Sequence, residues 1–171
     1  MKAALASWMT LCASTVFAQE EPPRPTEHHE HLRAYVGTWD AVTKFPQGKD
    51  APDSEGVETN ILACGGLFLV SNLKSEMMGR EFQGHGIQGY DTAKKKYVGV
   101  WVDSWGTQID FSEGECDRTG KVHTWRTKGA GEIEWKLVSE MKDNDNRVFT
   151  IYTLEGGKES PMMVTTYRRR K

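Results

Sequence analysis

The sequence predicts an all-β fold of about ten antiparallel strands behind a short N-terminal helix, and three observations carry that expectation. From residue 38 onward, runs rich in Val, Ile, Thr, Phe, Tyr and Trp recur about every dozen residues, the spacing of a barrel or sandwich. The clusters between them suit tight reversals: Cys64-Gly65-Gly66, Asp91-Thr92-Ala93-Lys94, Asp117-Arg118-Thr119-Gly120, Asp143-Asn144-Asp145-Asn146 and Glu155-Gly156-Gly157-Lys158. No strand–helix–strand alternation occurs, which argues against a parallel sheet.

Residues 1–18 read as a secretory signal peptide. Lys2 is their only charge, Ala3 to Phe17 form a mostly apolar run too short to span a bilayer, and Val16-Phe17-Ala18 puts small residues at the cut before Gln19-Glu20-Glu21. Cys12 follows Met9-Thr10-Leu11, whereas lipid attachment wants a small residue directly before the cysteine, so no lipid anchor is expected. The expected location is therefore periplasmic or secreted. Cleavage removes one of the 22 basic side chains and none of the 24 acidic ones, leaving a formal charge of −3 and no general attraction to nucleic acid.

Residues 19–26 are acidic and proline-rich, a flexible tether, and 27–171 form one domain. Thr26 is placed to cap a short helix that carries Glu27 and Glu30 near its positive end. Leu32, Tyr35 and Val36 fall at i, i+3 and i+4, a stripe able to lid a barrel. Strands are expected near 38–45, 55–63, 67–75, 81–90, 96–104, 107–116, 121–128, 132–142, 147–154 and 161–169.

Alternation is cleanest in the eighth, where Ile133, Trp135, Leu137 and Met141 share a face that reads as inward. In the sixth, Ile109 and Phe111 alternate with Asp110 and Ser112, so the apolar pair also reads as inward. The fifth, Tyr97 to Asp103, is apolar on both faces, as a strand covered outside by the lid helix or a partner would be.

Gly37-Thr38-Trp39, answered by Tyr167-Arg168-Arg169-Arg170, resembles the signature of the lipocalin-like (calycin) superfamily. That resemblance implies an antiparallel up-and-down barrel in which Gly37 and Trp39 begin the first strand, Trp39 lies across the closed end, and Arg168 or Arg169 covers its indole. Gly84-His85-Gly86-Ile87-Gln88-Gly89-Tyr90-Asp91, Lys94 to Gly99, Trp101-Val102-Asp103-Ser104, Arg147 to Tyr152 and Met162-Met163 with Thr166-Tyr167-Arg168 narrow the likeness further. They resemble the exported bacterial proteins of domain of unknown function 1579, which implies a compact barrel with no established reaction. The related haem-binding nitrobindins carry their axial histidine late in the chain. No histidine follows His123 here, so no haem or other cofactor is expected.

Glu27-His28-His29-Glu30-His31 is the one metal-like cluster, with His28 and His31 a turn apart. It adjoins the tether and has no closing ligand, so it reads as a solvated helix start and no metal is expected. His85 and His123 each sit in a predicted strand with no catalytic partner fixed by sequence, and His123 shares parity with Trp125. Asp103-Ser104 lacks a nucleophile elbow and reads as a hairpin turn, while Glu113 and Glu115 read as solvated. No catalytic residue is named. Cys64 and Cys116 fall at one end of an up-and-down barrel and can either pair or remain small thiols.

What remains is Trp39, Trp101, Trp105, Trp125 and Trp135 with five methionines of the exported chain, side chains that fill cores and also line apolar pockets. The leading expectation is a monomer that binds a small apolar or aromatic molecule in the barrel mouth, without membrane insertion. Phe111, Trp135 and His123 would line the interior, with Trp101 or Trp105 at the rim. The alternative is a structural or protein-interaction module with a filled barrel, and an enzyme ranks third.

Overall fold

The computed structural model describes residues 21–48, 51–128 and 134–171. The signal segment 1–18, its cleavage point and Ile133 lie outside those residues. Helix α1 (Glu27–Arg33) precedes ten strands: β1 (Gly37–Lys44), β2 (Ser54–Ala63), β3 (Phe68–Met77), β4 (Arg80–Asp91), β5 (Lys96–Asp103), β6 (Asp110–Cys116), β7 (Val122–Lys128), β8 (Glu134–Met141), β9 (Asn146–Glu155) and β10 (Lys158–Arg169). Each strand pairs antiparallel with the next, and β1 pairs with β10 to close the barrel. Closure leaves no strand edge unpaired. No helix among the described residues is long and apolar enough to cross a membrane.

The ring closes at Trp39↔Arg169, and the residues there explain why. Trp39 is fully buried, and its Nε1 donates to the carbonyl of Tyr35 at 2.8 Å. The Arg169 guanidinium lies 4.0 Å from the indole and donates to the carbonyls of Ala34 (2.8 Å), Asn144 (2.7 Å) and Val36. This one side chain thus combines cation–π attraction with the orphan carbonyls that follow α1. Gly37 is required beside it: its φ is +125°, and an added Cβ would stand 2.7 Å from Arg169 Nη1. Arg168 does not take part. Alternation along β10 turns Thr165, Tyr167 and Arg169 inward and leaves Arg168 exposed.

Helix α1 begins where Thr26 N donates to His29 Nδ1 at 3.0 Å, a reciprocal cap with histidine in the usual glutamate position. Leu32 and Tyr35 go down into the barrel end and are buried. The helix therefore lids the end, against β3 and β4, and does not cover the outer wall of β5. Cys64 and Cys116 do lie at this same end, both as free thiols.

The inner faces follow from register. In β7 and β8 the odd residues point inward, as His123, Trp125, Ser139 and Met141 are buried. In β6 the inner face is the opposite of the one expected. Ser112, Gly114 and Cys116 pair with Thr127, Trp125 and His123 and face in, so Ile109 and Phe111 face out. The reason is space: the Trp125 ring lies over Gly114, where a Cβ would meet it at 2.8 Å. β6 supplies small residues to make room for its neighbour's ring, and its large apolar side chains go outside.

Candidate functional site: the barrel interior

The interior divides into two halves. Toward the lidded end it is packed with aromatic and polar side chains. His123 is 2% exposed, and its Nδ1 is 3.1 Å from the Tyr35 hydroxyl. Tyr97 meets the imidazole edge-on at 4.7 Å, and Trp125 stacks parallel to it at 6.2 Å. Burial, with His31 nearby, pulls His123 down to about 4, so the ring is neutral at physiological pH. Burial likewise pushes the Tyr35 hydroxyl and the Cys116 thiol up to about 12. Neither a thiolate nor a phenolate is available there for nucleophilic chemistry.

Beneath Trp39 lies a buried ion pair that the sequence reading missed. Arg147 on β9 reaches Glu58 on β2 at 2.5 Å, across the two strands between them. Its guanidinium also lies 3.5 Å from the Tyr167 ring and 4.9 Å from Trp39. Asn60 donates to Glu58 (2.7 Å) and to the Tyr35 carbonyl (3.0 Å). The signal in the sequence was Glu58 and Asn60 sharing the inward parity of β2, but parity alone cannot name a partner 89 residues away.

The other half is different. Leu137 on β8 and Phe149 and Ile151 on β9 sit mid-strand, face inward by their pairing with Trp125, Ser139 and Leu137, and are only half-buried. Leu137 and Phe149 pack against the edge of the buried core, and these three inward apolar side chains are less completely covered than those at the lidded end. Trp135 lies further toward the open end and is also partly exposed. Across from it, Trp101 lies flat on Gly84 and Gly86, with Nε1 donating to Asp103 Oδ2 at 3.0 Å. Asp110 pairs with Trp101, and burial and Asp103 raise its carboxyl. Trp105 is exposed at the rim, edge-on to Phe82 at 5.3 Å.

Of the five expected ligand residues, Trp101 and Trp135 are partly buried on the inward faces of β5 and β8, and Trp105 is exposed in the turn after β5. His123 belongs to the packed end, and Phe111 is on the outer wall. The other candidates are engaged in structure. His28 stacks on Tyr90 at 4.0 Å, His31 Nδ1 is 2.9 Å from the Tyr97 hydroxyl, and His85 faces outward against Asn72. Among the described residues no three potential metal ligands converge. Asp103 accepts from Trp105 N and Ser104 accepts from Gln83 N, a hairpin turn as expected. Glu113 and Glu115 form outward ion pairs with Lys94 and Lys96.

Two solved structures share the architecture. Rv2717c from M. tuberculosis is similar with a TM-score of 0.59 and 12% identity, over 85% of this chain and 99% of that one. The S-type phycobiliprotein lyase CPES from Guillardia theta is similar with a TM-score of 0.59 and 11% identity, over 83% and 92%. At such identity the likeness shows the fold alone. No curated protein matches the sequence. Residues 24–169, from the tether through the closing strand, match the family described as protein of unknown function (DUF1579), and the chain belongs to that family.

Proposed function

We propose that this is an exported binding protein that holds a small apolar or aromatic molecule in the open half of its barrel. The observation that carries the reading is the partial exposure of Leu137, Phe149 and Ile151 on an inward face. Such a surface gains by burying an apolar guest, at about 25 cal/mol for each Å² removed from water. Trp101 and Trp135 add flat area at the entrance, and Asp110 and Ser112 on the inner face of β6 give a guest polar groups to orient against. No catalytic group is assigned.

The test is a fluorescence titration with N-phenyl-1-naphthylamine, an uncharged probe suited to an entrance that carries carboxylates. Saturable binding is expected, with affinity changed several-fold in Trp135→Leu and unchanged in Thr166→Lys on the far outer wall. Absence of saturable binding to the wild type, with this probe and with smaller aromatic hydrocarbons, would leave the filled structural module as the reading.

A further inference from the structure

Turning β6 over places Phe111 on the outer wall, where it is 69% exposed, and it is not alone there. Phe111 is the direct cross-strand partner of Val100, Val100 of Ile87, Ile87 of Val70, and Val70 of Ile61. Five consecutive strands thus carry one apolar row in register, about 19 Å long at the spacing of neighbouring strands. Ile61 and Ile87 are 53% and 47% exposed. Phe68, Val98 and Val102 flank the row on the same face, which α1 leaves uncovered.

Area and shape together indicate what covers this wall. The exposed side chains present apolar surface on the order of 600 Å², at the top of the range for monomers and approaching the part of a stable dimer interface that each partner contributes. Phe111 projects as a knob. Beside it lies a groove of about 310 Å³ lined by Phe68, Ile87, Val98 and Val100, with Phe111 as its border. A knob and an apolar groove adjacent on one surface are self-complementary: a two-fold axis between them seats each knob in the other copy's groove. At the border Lys94 pairs with Glu113 at 2.7 Å and Lys96 with Glu115 at 3.8 Å, and Arg126, the cross-strand neighbour of Glu113, is exposed beside Phe111.

We propose that the outer wall of β2–β6 is the interface of a two-fold dimer of this chain, with Phe111 of each copy in the Phe68–Ile87–Val98–Val100 groove of the other. This departs from the monomer expected from sequence and is independent of whether the interior binds a guest. Sedimentation velocity of the mature chain over about 1 to 100 µM should show a species of twice the chain mass. Phe111→Lys and, separately, Ile87→Lys should each weaken the dimer by about 30-fold or more, the effect of losing a central anchor, while Thr166→Lys on the opposite wall changes nothing. Thermal melts by circular dichroism verify that each variant is folded, and two independent substitutions keep the test decisive if one disturbs its strand. A wild type that stays monomeric throughout, or a dimer that survives both lysines, overturns the proposal. A monomer that co-floats with phosphatidylethanolamine/phosphatidylglycerol vesicles through Phe111 also overturns it and assigns the wall to lipid.

Discussion

His123 shows how a single side chain can be structural in a setting that invites a catalytic reading. It has an aromatic cage, a hydroxyl partner and a thiol neighbour, with Cys116 Sγ 3.7 Å from Nδ1. Yet it is neutral, held there by burial. The consequence is a pH dependence with a definite sign. An unfolded histidine takes up its proton near pH 6.5, whereas this one resists until about 4. Between those values the unfolded chain binds more protons, so stability must fall as pH drops from 6.5 toward 4, by ~3 kcal/mol across the window. His29, also lowered by burial, adds in the same direction. Urea unfolding at pH 7 and pH 4.5 should therefore show a smaller pH-induced loss in His123→Gln than in the wild type. Equal losses in the two proteins would exclude His123 as the source.

Among the elements, β4 and β5 are fitted to each other by absence. Gly84 and Gly86 lack the side chains that would otherwise occupy the place of the Trp101 ring, and a Cβ on Gly84 falls inside that ring. Alanine normally gains backbone stability over glycine in a strand, but here it must displace the indole. Gly84→Ala should cost about 1–3 kcal/mol and weaken probe binding, with a smaller effect at Gly86, where the clash is milder. An unchanged denaturation midpoint for Gly84→Ala would mean that Trp101 does not rest there.

The same elements show what was legible beforehand. Strand positions were readable because turn residues and β-branched runs are local signals, and all ten strands lie within a few residues of expectation. Trp39 with Arg169 was readable because a family signature links the two ends. The inward face of β6 was not. Its periodicity is plain, but which face turns in depends on the Trp125 ring arriving from β7. Arg147–Glu58 was hidden for a similar reason, since it joins strands far apart in sequence.

For the whole molecule, the end of the barrel beneath α1 is lidded, and the proposed binding region lies toward the other end. The packed end holds the ring closed, and in the proposed reading the other end admits the guest. The proposed export adds a test that does not depend on the guest. Intact mass of the periplasmic or secreted protein should place the mature N-terminus at Gln19 or within two residues of it, because the small residues and the polar boundary coincide only there. Full-length chain retained in the cytoplasm would refute this.

The pairing of β1 with β10 also governs when the molecule can exist at all. Trp39 lacks the Arg169 guanidinium over its indole, and the sheet has two raw edges, until β10 has been made. Contacts that distant in sequence pay their loop-closure cost before any reward and make for slow folding. Chains that do not yet include β10 are therefore unable to complete the barrel. Under the proposed export this delays locking, because the barrel cannot close until β10 has followed the other nine strands across the membrane.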